Sequence, residues 1–100
     1  MTLALGIDPG TATTGYGLVK IHADGALESF AYGILSTPKD LSAEQRLVLL
    51  YDQLQAIVTL HRPETAAVER LFFQRNITTA IAVGQARGVV LLALAQAGLQ

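Results

Sequence analysis

The spacing of apolar residues changes near residue 36, from a strand pattern before it to a helix pattern in the segment that follows. Three strand-like segments come first, at Leu3–Ile7, Thr14–His22 and Leu27–Leu35. Asp24-Gly25 lies between the last two and favours a two-residue hairpin, because both positions tolerate a positive φ. The chain is therefore predicted to open with an antiparallel meander of three strands.

A helix is predicted after the break at Ser36–Asp40. Ser42 and Gln45 have the spacing of a capping box at its start, and Pro63 should end it near His61-Arg62. The apolar residues at helical spacing are Leu47, Leu50, Tyr51, Leu54, Ile57 and Val58.

A short apolar strand and a long apolar helix complete the chain, at Thr65–Glu69 and Thr78–Ala97. A transmembrane span is the alternative for the second segment. Gln85 and Arg87 lie near its middle, and a central arginine costs several kcal/mol in lipid. We therefore expect this helix to pack within a globular domain and not in a membrane.

The order β-β-β-α-β-α predicts an α/β fold with a mixed sheet, in which a crossover helix adds a parallel strand to the meander. Asp8 directly follows the first strand and Glu69 ends the fourth. Active sites in open α/β sheets form at the C-terminal ends of parallel strands. Carboxylate oxygens are also the ligands that Mg²⁺ prefers, so this pair predicts a metal site. In the alternative, Asp8 only caps the Pro9-Gly10 turn and Glu69 is an ordinary surface residue.

Composition limits the chemistry. The 100 residues contain no cysteine, which excludes thiolate metal sites and thiol nucleophiles. The net charge of −1 argues against a binder that relies on a generally basic surface. Four of the five arginines fall after residue 61, at Arg62, Arg70, Arg75 and Arg87. An anionic partner is therefore expected to meet the second part of the chain.

The segment after Glu69 combines two aromatic residues with arginines and amides, in the order Arg70-Leu71-Phe72-Phe73-Gln74-Arg75-Asn76. Such a loop is suited to stacking a base and holding phosphates. Alternatively, one phenylalanine belongs to the core and the other is a hinge contact.

Four motifs, taken together and in order, resemble the RuvC-type Holliday junction resolvases. They are LGIDPG at residues 5–10, TGYG at 14–17, VE at 68–69 and GQARG at 84–88. The resemblance covers nearly the whole chain. It implies a ribonuclease H-like fold, in agreement with the element order.

The resemblance also implies a function: a homodimeric, cytoplasmic endonuclease that nicks two opposed strands of a four-way DNA junction during recombination and repair. Asp8 and Glu69 would be its catalytic, metal-binding carboxylates, and Phe72, Arg75 and Asn76 would contact DNA. Two Mg²⁺ ions about 4 Å apart, with Mn²⁺ as an alternative, would activate water and stabilise the leaving oxygen. Branch-migration proteins are implied as partners.

One departure concerns the C-terminal side. In the family, the remaining acidic ligands, a fifth strand and a C-terminal helix follow the GQARG helix, and this chain ends before them. We therefore expect residues 1–100 to form a single ribonuclease H-like nuclease domain that is incomplete at its C-terminus. The chain alone is expected to be inactive.

Three other functions are compatible with part of the pattern. Asp8-Pro9-Gly10-Thr11 also fits the phosphate-gripping turn of the actin and sugar-kinase superfamily, although those enzymes need several hundred residues. A resolvase-like module without activity would bind junctions but not nick them. The RNA-processing nucleases of the same fold are less compatible with Tyr16 and the GQARG motif.

Overall fold

The computed structural model describes residues 1–10, 13–69 and 77–99, without the side chains of 77–79. Its elements follow the predicted order β-β-β-α-β-α, each within about two residues of the predicted bounds. They are β1 (Thr2–Asp8), β2 (Thr13–Ile21), β3 (Leu27–Ser36), α1 (Ala43–His61), β4 (Thr65–Val68) and α2 (Ile77–Gln96).

The four strands form one mixed sheet in the order β3-β2-β1-β4. The β1–β2 and β2–β3 pairs are antiparallel, and β4 is parallel to β1. The crossover through α1 therefore adds the parallel strand beside β1, as the sequence predicts. This topology brings the C-terminal ends of β1 and β4 to the same end of the sheet.

The connection between β2 and β3 differs from the predicted two-residue hairpin. Gly25 N–H donates to the His22 carbonyl at 2.9 Å, and His22 N–H donates to the Ala26 carbonyl at 2.9 Å. Gly25 has a φ of 87°, whereas Asp24 is not among the positive-φ residues. The Asp24 carboxylate instead accepts from Ala26 N–H at 2.9 Å, which favours a longer turn that ends in a left-handed glycine.

The ends of α1 are fixed by local hydrogen bonds. Ser42 Oγ accepts from Gln45 N–H and Gln45 Oε1 accepts from Ser42 N–H, both at 3.2 Å, so the predicted capping box is present. Arg62 adopts the left-handed conformation with a φ of 50° and donates its N–H to the Val58 carbonyl. Pro63 then follows, as expected for a residue that cannot continue the helix.

Both helices pack on one face of the sheet and bury the core there. The buried members are Leu5, Ile7, Leu18, Leu50, Leu54, Ala86, Val90, Ala93 and Leu94. Successive strand residues point to opposite faces, so the alternate positions of β1, β2 and β4 form the other face. No helix in the described part of the chain is long and apolar enough to cross a membrane.

Candidate metal centre

The sheet register brings Asp8 and Glu69 side by side. Ile7 of β1 is paired with Val68 of β4, and Glu69 N–H donates to the Ile7 carbonyl at 2.9 Å. The next residue on each strand is the carboxylate, and both point to the face opposite the helices. The predicted juxtaposition of the two side chains is therefore present, and both side chains are exposed.

The two carboxyl groups interact. A hydrogen bond with the Asp8 side chain raises the pKa of Glu69, and the negative charge of Asp8 and partial desolvation raise it further. Like charges this close cannot both ionise without cost, which a bound cation removes. The pair therefore has the electrostatics of a cation site. Thr11 and Ala12, whose N–H groups would be donors for turn capping by Asp8, lie outside the described residues.

The donor set fits a hard divalent cation but does not complete its shell. Mg²⁺ prefers six oxygen ligands and commonly keeps several waters beside one or two carboxylates. Across residues 1–10, 13–69 and 77–99, no group of three or more potential ligand side chains occurs. Asp8 and Glu69 thus supply two ligands, and the remaining positions would belong to water, substrate or other protein groups.

The surface beside the carboxylates is made of very small residues. Gly6, Gly15 and Gly17 share the outward face with Ala67 and line an open, shallow depression beside the carboxylates. A Cβ added at Gly17 would meet nothing within 4 Å, so packing within the described chain does not require this glycine. We call this surface of Gly6, Gly15, Gly17 and Ala67 the glycine floor. Because it has no large side chains, a bulky substrate can approach the sheet backbone closely.

Apolar side chains flank this floor on β3. Tyr32, paired with Gly17, is 84% exposed, and Ile34, paired with Gly15, is 68% exposed. The alternation of β3 in the sequence predicts that Tyr32 and Ile34 share a face of the sheet. Only the register of β2 with β3 shows that this face is the one that presents the carboxylates.

A further contact that sequence reasoning missed comes from α2. Arg87 Nε donates to the Glu69 backbone carbonyl at 3.5 Å and so connects the helix to the end of β4. The signal available in the sequence was an arginine within an otherwise apolar helix. Arg87 is a positioning residue in this arrangement, because it contacts the backbone of Glu69 and not its carboxylate.

The turn after Asp8 requires glycine at position 10. A Cβ there would collide with the Thr13 backbone carbonyl. Pro9 is buried beside it, so the chain leaves the carboxylate in a fixed direction. The predicted DNA-binding residues Phe72, Arg75 and Asn76 lie outside the described residues, as does Phe73.

Comparisons with known proteins identify the family of the chain. The model of the family described as crossover junction endodeoxyribonuclease RuvC matches residues 4–100. The crossover junction endodeoxyribonuclease RuvC of Chloroflexus aurantiacus is 56% identical over 96% of this chain and 58% of its own length. That of Heliobacterium modesticaldum is 54% identical over 95% of this chain and 58% of its own.

Among solved structures, T. thermophilus RuvC in complex with a Holliday junction substrate superposes with a TM-score of 0.87. The two are 30% identical over 97% of this chain and 61% of that one. The chain thus spans somewhat more than half the length of its curated relatives, and its mixed sheet has the ribonuclease H-like architecture of resolvases. The family match over residues 4–100 argues against the actin and sugar-kinase alternative. The chain belongs to the RuvC family of crossover junction endodeoxyribonucleases.

Proposed function

We propose that these residues serve a structure-specific endonuclease that resolves four-way DNA junctions by paired, metal-dependent nicks during recombination and repair. The observation that carries the proposal is the pair of exposed carboxylates, Asp8 and Glu69, at adjacent C-terminal strand ends. Membership of the RuvC family and the junction bound to the T. thermophilus relative support it.

In this proposal Asp8 and Glu69 would hold Mg²⁺, for which Mn²⁺ is an alternative ion. When bound there, the ion would supply Lewis-acid activation of water and charge stabilisation for the phosphate. The protein side chains contribute position and charge. The ends of β1 and β4 hold both carboxylates on one face, and Arg87 donates a hydrogen bond to the Glu69 backbone carbonyl beside them.

The glycine floor bears on how DNA reaches the carboxylates. Gly6, Gly15 and Gly17 leave the sheet surface without projecting side chains, so a phosphodiester can approach Asp8 and Glu69 without steric hindrance. Phe72, Arg75 and Asn76 follow Glu69 in sequence and are the proposed DNA contacts. Aromatic and arginine side chains suit an unpaired base and its flanking phosphates.

Paired nicking needs two active sites, and α2 offers a surface for a second copy. Its exposed side includes Ile81, Gly84, Gly88, Leu91 and Leu92. A Cβ at Gly84 or Gly88 would meet nothing within 4 Å, so packing within the described chain does not call for these glycines. Close approach of a second α2 helix would account for them, and we therefore propose a homodimer through this face.

The remaining parts of the proposal follow from the family alone. Residues 1–100 are taken as belonging to a single nuclease domain. The protein acts on DNA in the cytoplasm, beside branch-migration proteins.

The test uses the natural full-length protein and a synthetic four-way junction in Mg²⁺. Asp8→Asn should abolish symmetric paired nicking but keep junction binding, because it removes a ligand charge without changing the shape of the side chain. Asp52→Asn, at an exposed carboxylate on α1, is the matched control and should nick normally. Junction binding by the unmodified protein without any nicking would indicate an inactive module and would refute the proposal.

A further inference from the structure

The parallel ladder between β1 and β4 stops at the two carboxylates. Its last paired residues are Ile7 and Val68, and Glu69 N–H donates to the Ile7 carbonyl at 2.9 Å. Hydrogen bonds in a parallel pair are evenly spaced, so the next one would run from the N–H of residue 9 to the Glu69 carbonyl. Residue 9 is a proline, which has no N–H. The ladder therefore leaves the Glu69 carbonyl without its regular donor.

Arg87 takes the place of that donor. Its Nε donates to the Glu69 carbonyl at 3.5 Å, from the helix that packs on the core side of the sheet. Arg87 is the only charged residue of α2, and its side chain is half-buried. A charged group in such a position is costly unless it has a polar partner. The carbonyl that the ladder leaves over and the arginine of the helix thus satisfy each other.

We infer that Arg87 positions Glu69 in the metal centre by replacing the ladder donor that Pro9 lacks. The contact holds the backbone at the end of β4, and that backbone carries the Glu69 carboxylate beside Asp8. One hydrogen bond thereby links the LGIDPG and GQARG motifs, which lie far apart in the sequence. The consequence for metal binding rests on the proposed function, whereas the consequence for the end of β4 does not.

Two substitutions separate this role from ordinary packing of α2. Arg87→Met keeps a flexible apolar stem on the helix but removes every N–H donor of the side chain. Pro9→Ala introduces an N–H at position 9, in the register to donate to the Glu69 carbonyl. If Arg87 only packed α2 against the sheet, Pro9→Ala could not compensate for its loss. If Arg87 replaces the ladder donor, the double variant should recover what Arg87→Met loses.

The first experiment follows amide hydrogen exchange by NMR in the metal-free, full-length protein. Glu69 N–H should exchange roughly ten-fold faster in Arg87→Met, because the end of β4 opens more often after losing a hydrogen bond to a charged group. Leu18 N–H, in the buried part of β2, reports global opening for comparison. In the double variant, Glu69 exchange should return towards the unmodified rate, and the N–H introduced at position 9 should itself be protected.

The second experiment measures Mg²⁺ affinity by calorimetry without DNA. Arg87→Met should weaken Mg²⁺ binding roughly ten-fold, the usual effect of losing a contact that orients a ligand residue, and the added Pro9→Ala should restore most of it. Arg62→Met removes an arginine side chain from an exposed position and should bind Mg²⁺ like the unmodified protein. In nicking assays, Arg87→Met should need more Mg²⁺ for half-maximal rate but approach the unmodified rate at saturation.

Unchanged Glu69 exchange or unchanged Mg²⁺ affinity in Arg87→Met would overturn the role of Arg87. So would a loss of protection, of Mg²⁺ binding or of folding that Pro9→Ala does not correct. The exchange measurement uses neither metal nor DNA, so its failure leaves the proposed nuclease function standing. Absence of nicking by the unmodified protein would refute that function and leave the exchange result unaffected.

Discussion

At the scale of single residues, Asp8 and Glu69 lie side by side, and Asp8 raises the pKa of Glu69. The sequence alone predicted that both carboxylates would lie at neighbouring strand ends, because strand order and parallel pairing follow from the element pattern. Their mutual hydrogen bond could not be predicted from it. That contact requires β1 and β4 to pair with Ile7 opposite Val68, because a shift by one residue would separate the two carboxylates. The strand pattern in the sequence does not determine this register.

The pKa of Glu69 provides the first prediction. Asp8 is the main cause of its elevation above the ordinary value of 4.5, so Asp8→Ala should lower it towards that value. Titration of the Glu69 carboxyl carbon by NMR, without metal, measures the change. A Glu69 pKa that is the same in both proteins would mean that the carboxyls do not interact.

The same elevation has a consequence for stability. A carboxyl with a raised pKa in the folded state binds its proton more tightly there than in the unfolded chain. Its contribution is therefore favourable at low pH and is lost as the pH rises from 4.5 through the folded-state pKa. In metal-free protein, Asp8→Ala should thus show a smaller loss of stability over this pH range, measured by chemical denaturation.

Gly33 is required by a neighbouring side chain, which gives another prediction. A Cβ there would lie 2.8 Å from Tyr16 Oη and 2.9 Å from two ring carbons of the same side chain. Tyr16 packs against the core, so it cannot move freely. Gly33→Ala should reduce the free energy of unfolding by about 1–3 kcal/mol. Gly17→Ala, on the adjacent strand with nothing within 4 Å of the new Cβ, should change it by less than about 0.5 kcal/mol.

At the scale of elements, helix ends were more predictable from the sequence than the turn between strands. The capping box of Ser42 and Gln45 depends on residues three apart, so its signal is local. The β2–β3 turn was predicted wrongly because Asp24-Gly25 is compatible with several hairpin turns. The Asp24 side chain decides between them by accepting from Ala26 N–H.

Burial along α1 predicts very different effects for two leucines of the same helix. Leu54 is fully buried between the helices and the sheet, whereas Leu60 is 76% exposed. Leu54→Ala should lower the free energy of unfolding by about 2–5 kcal/mol through lost burial and a residual cavity. Leu60→Ala should change it by less than about 0.5 kcal/mol. Equal effects of the two variants in denaturant unfolding would contradict the packing described.

At the scale of the whole molecule, the two sheet faces have different roles. The helix-covered face contains the core, and the opposite face presents the carboxylates, the glycine floor and the exposed side chains of Tyr32 and Ile34. Alternation along each strand predicts two faces, but it does not identify which face the helices cover. That information comes from tertiary packing, which a single sequence does not contain.

The proposed dimer face of α2 belongs to this scale as well. Gly84→Leu should shift the full-length protein from dimer to monomer in analytical ultracentrifugation without unfolding it, because the new side chain enters open space within the described chain. Ala56→Leu puts the same side chain on an exposed position of α1 and should leave the dimer intact. A dimer unaffected by Gly84→Leu would place the interface elsewhere.

The most direct measurement of the central claim is the Mg²⁺ dependence of junction nicking by full-length Glu69→Gln beside the unmodified protein. The variant keeps the shape of the side chain and removes its charge. It should bind the four-way junction with unchanged affinity and produce no paired nicks at any Mg²⁺ concentration. Nicking by Glu69→Gln at the unmodified rate and with the same Mg²⁺ dependence would contradict the assignment of these carboxylates as the metal centre.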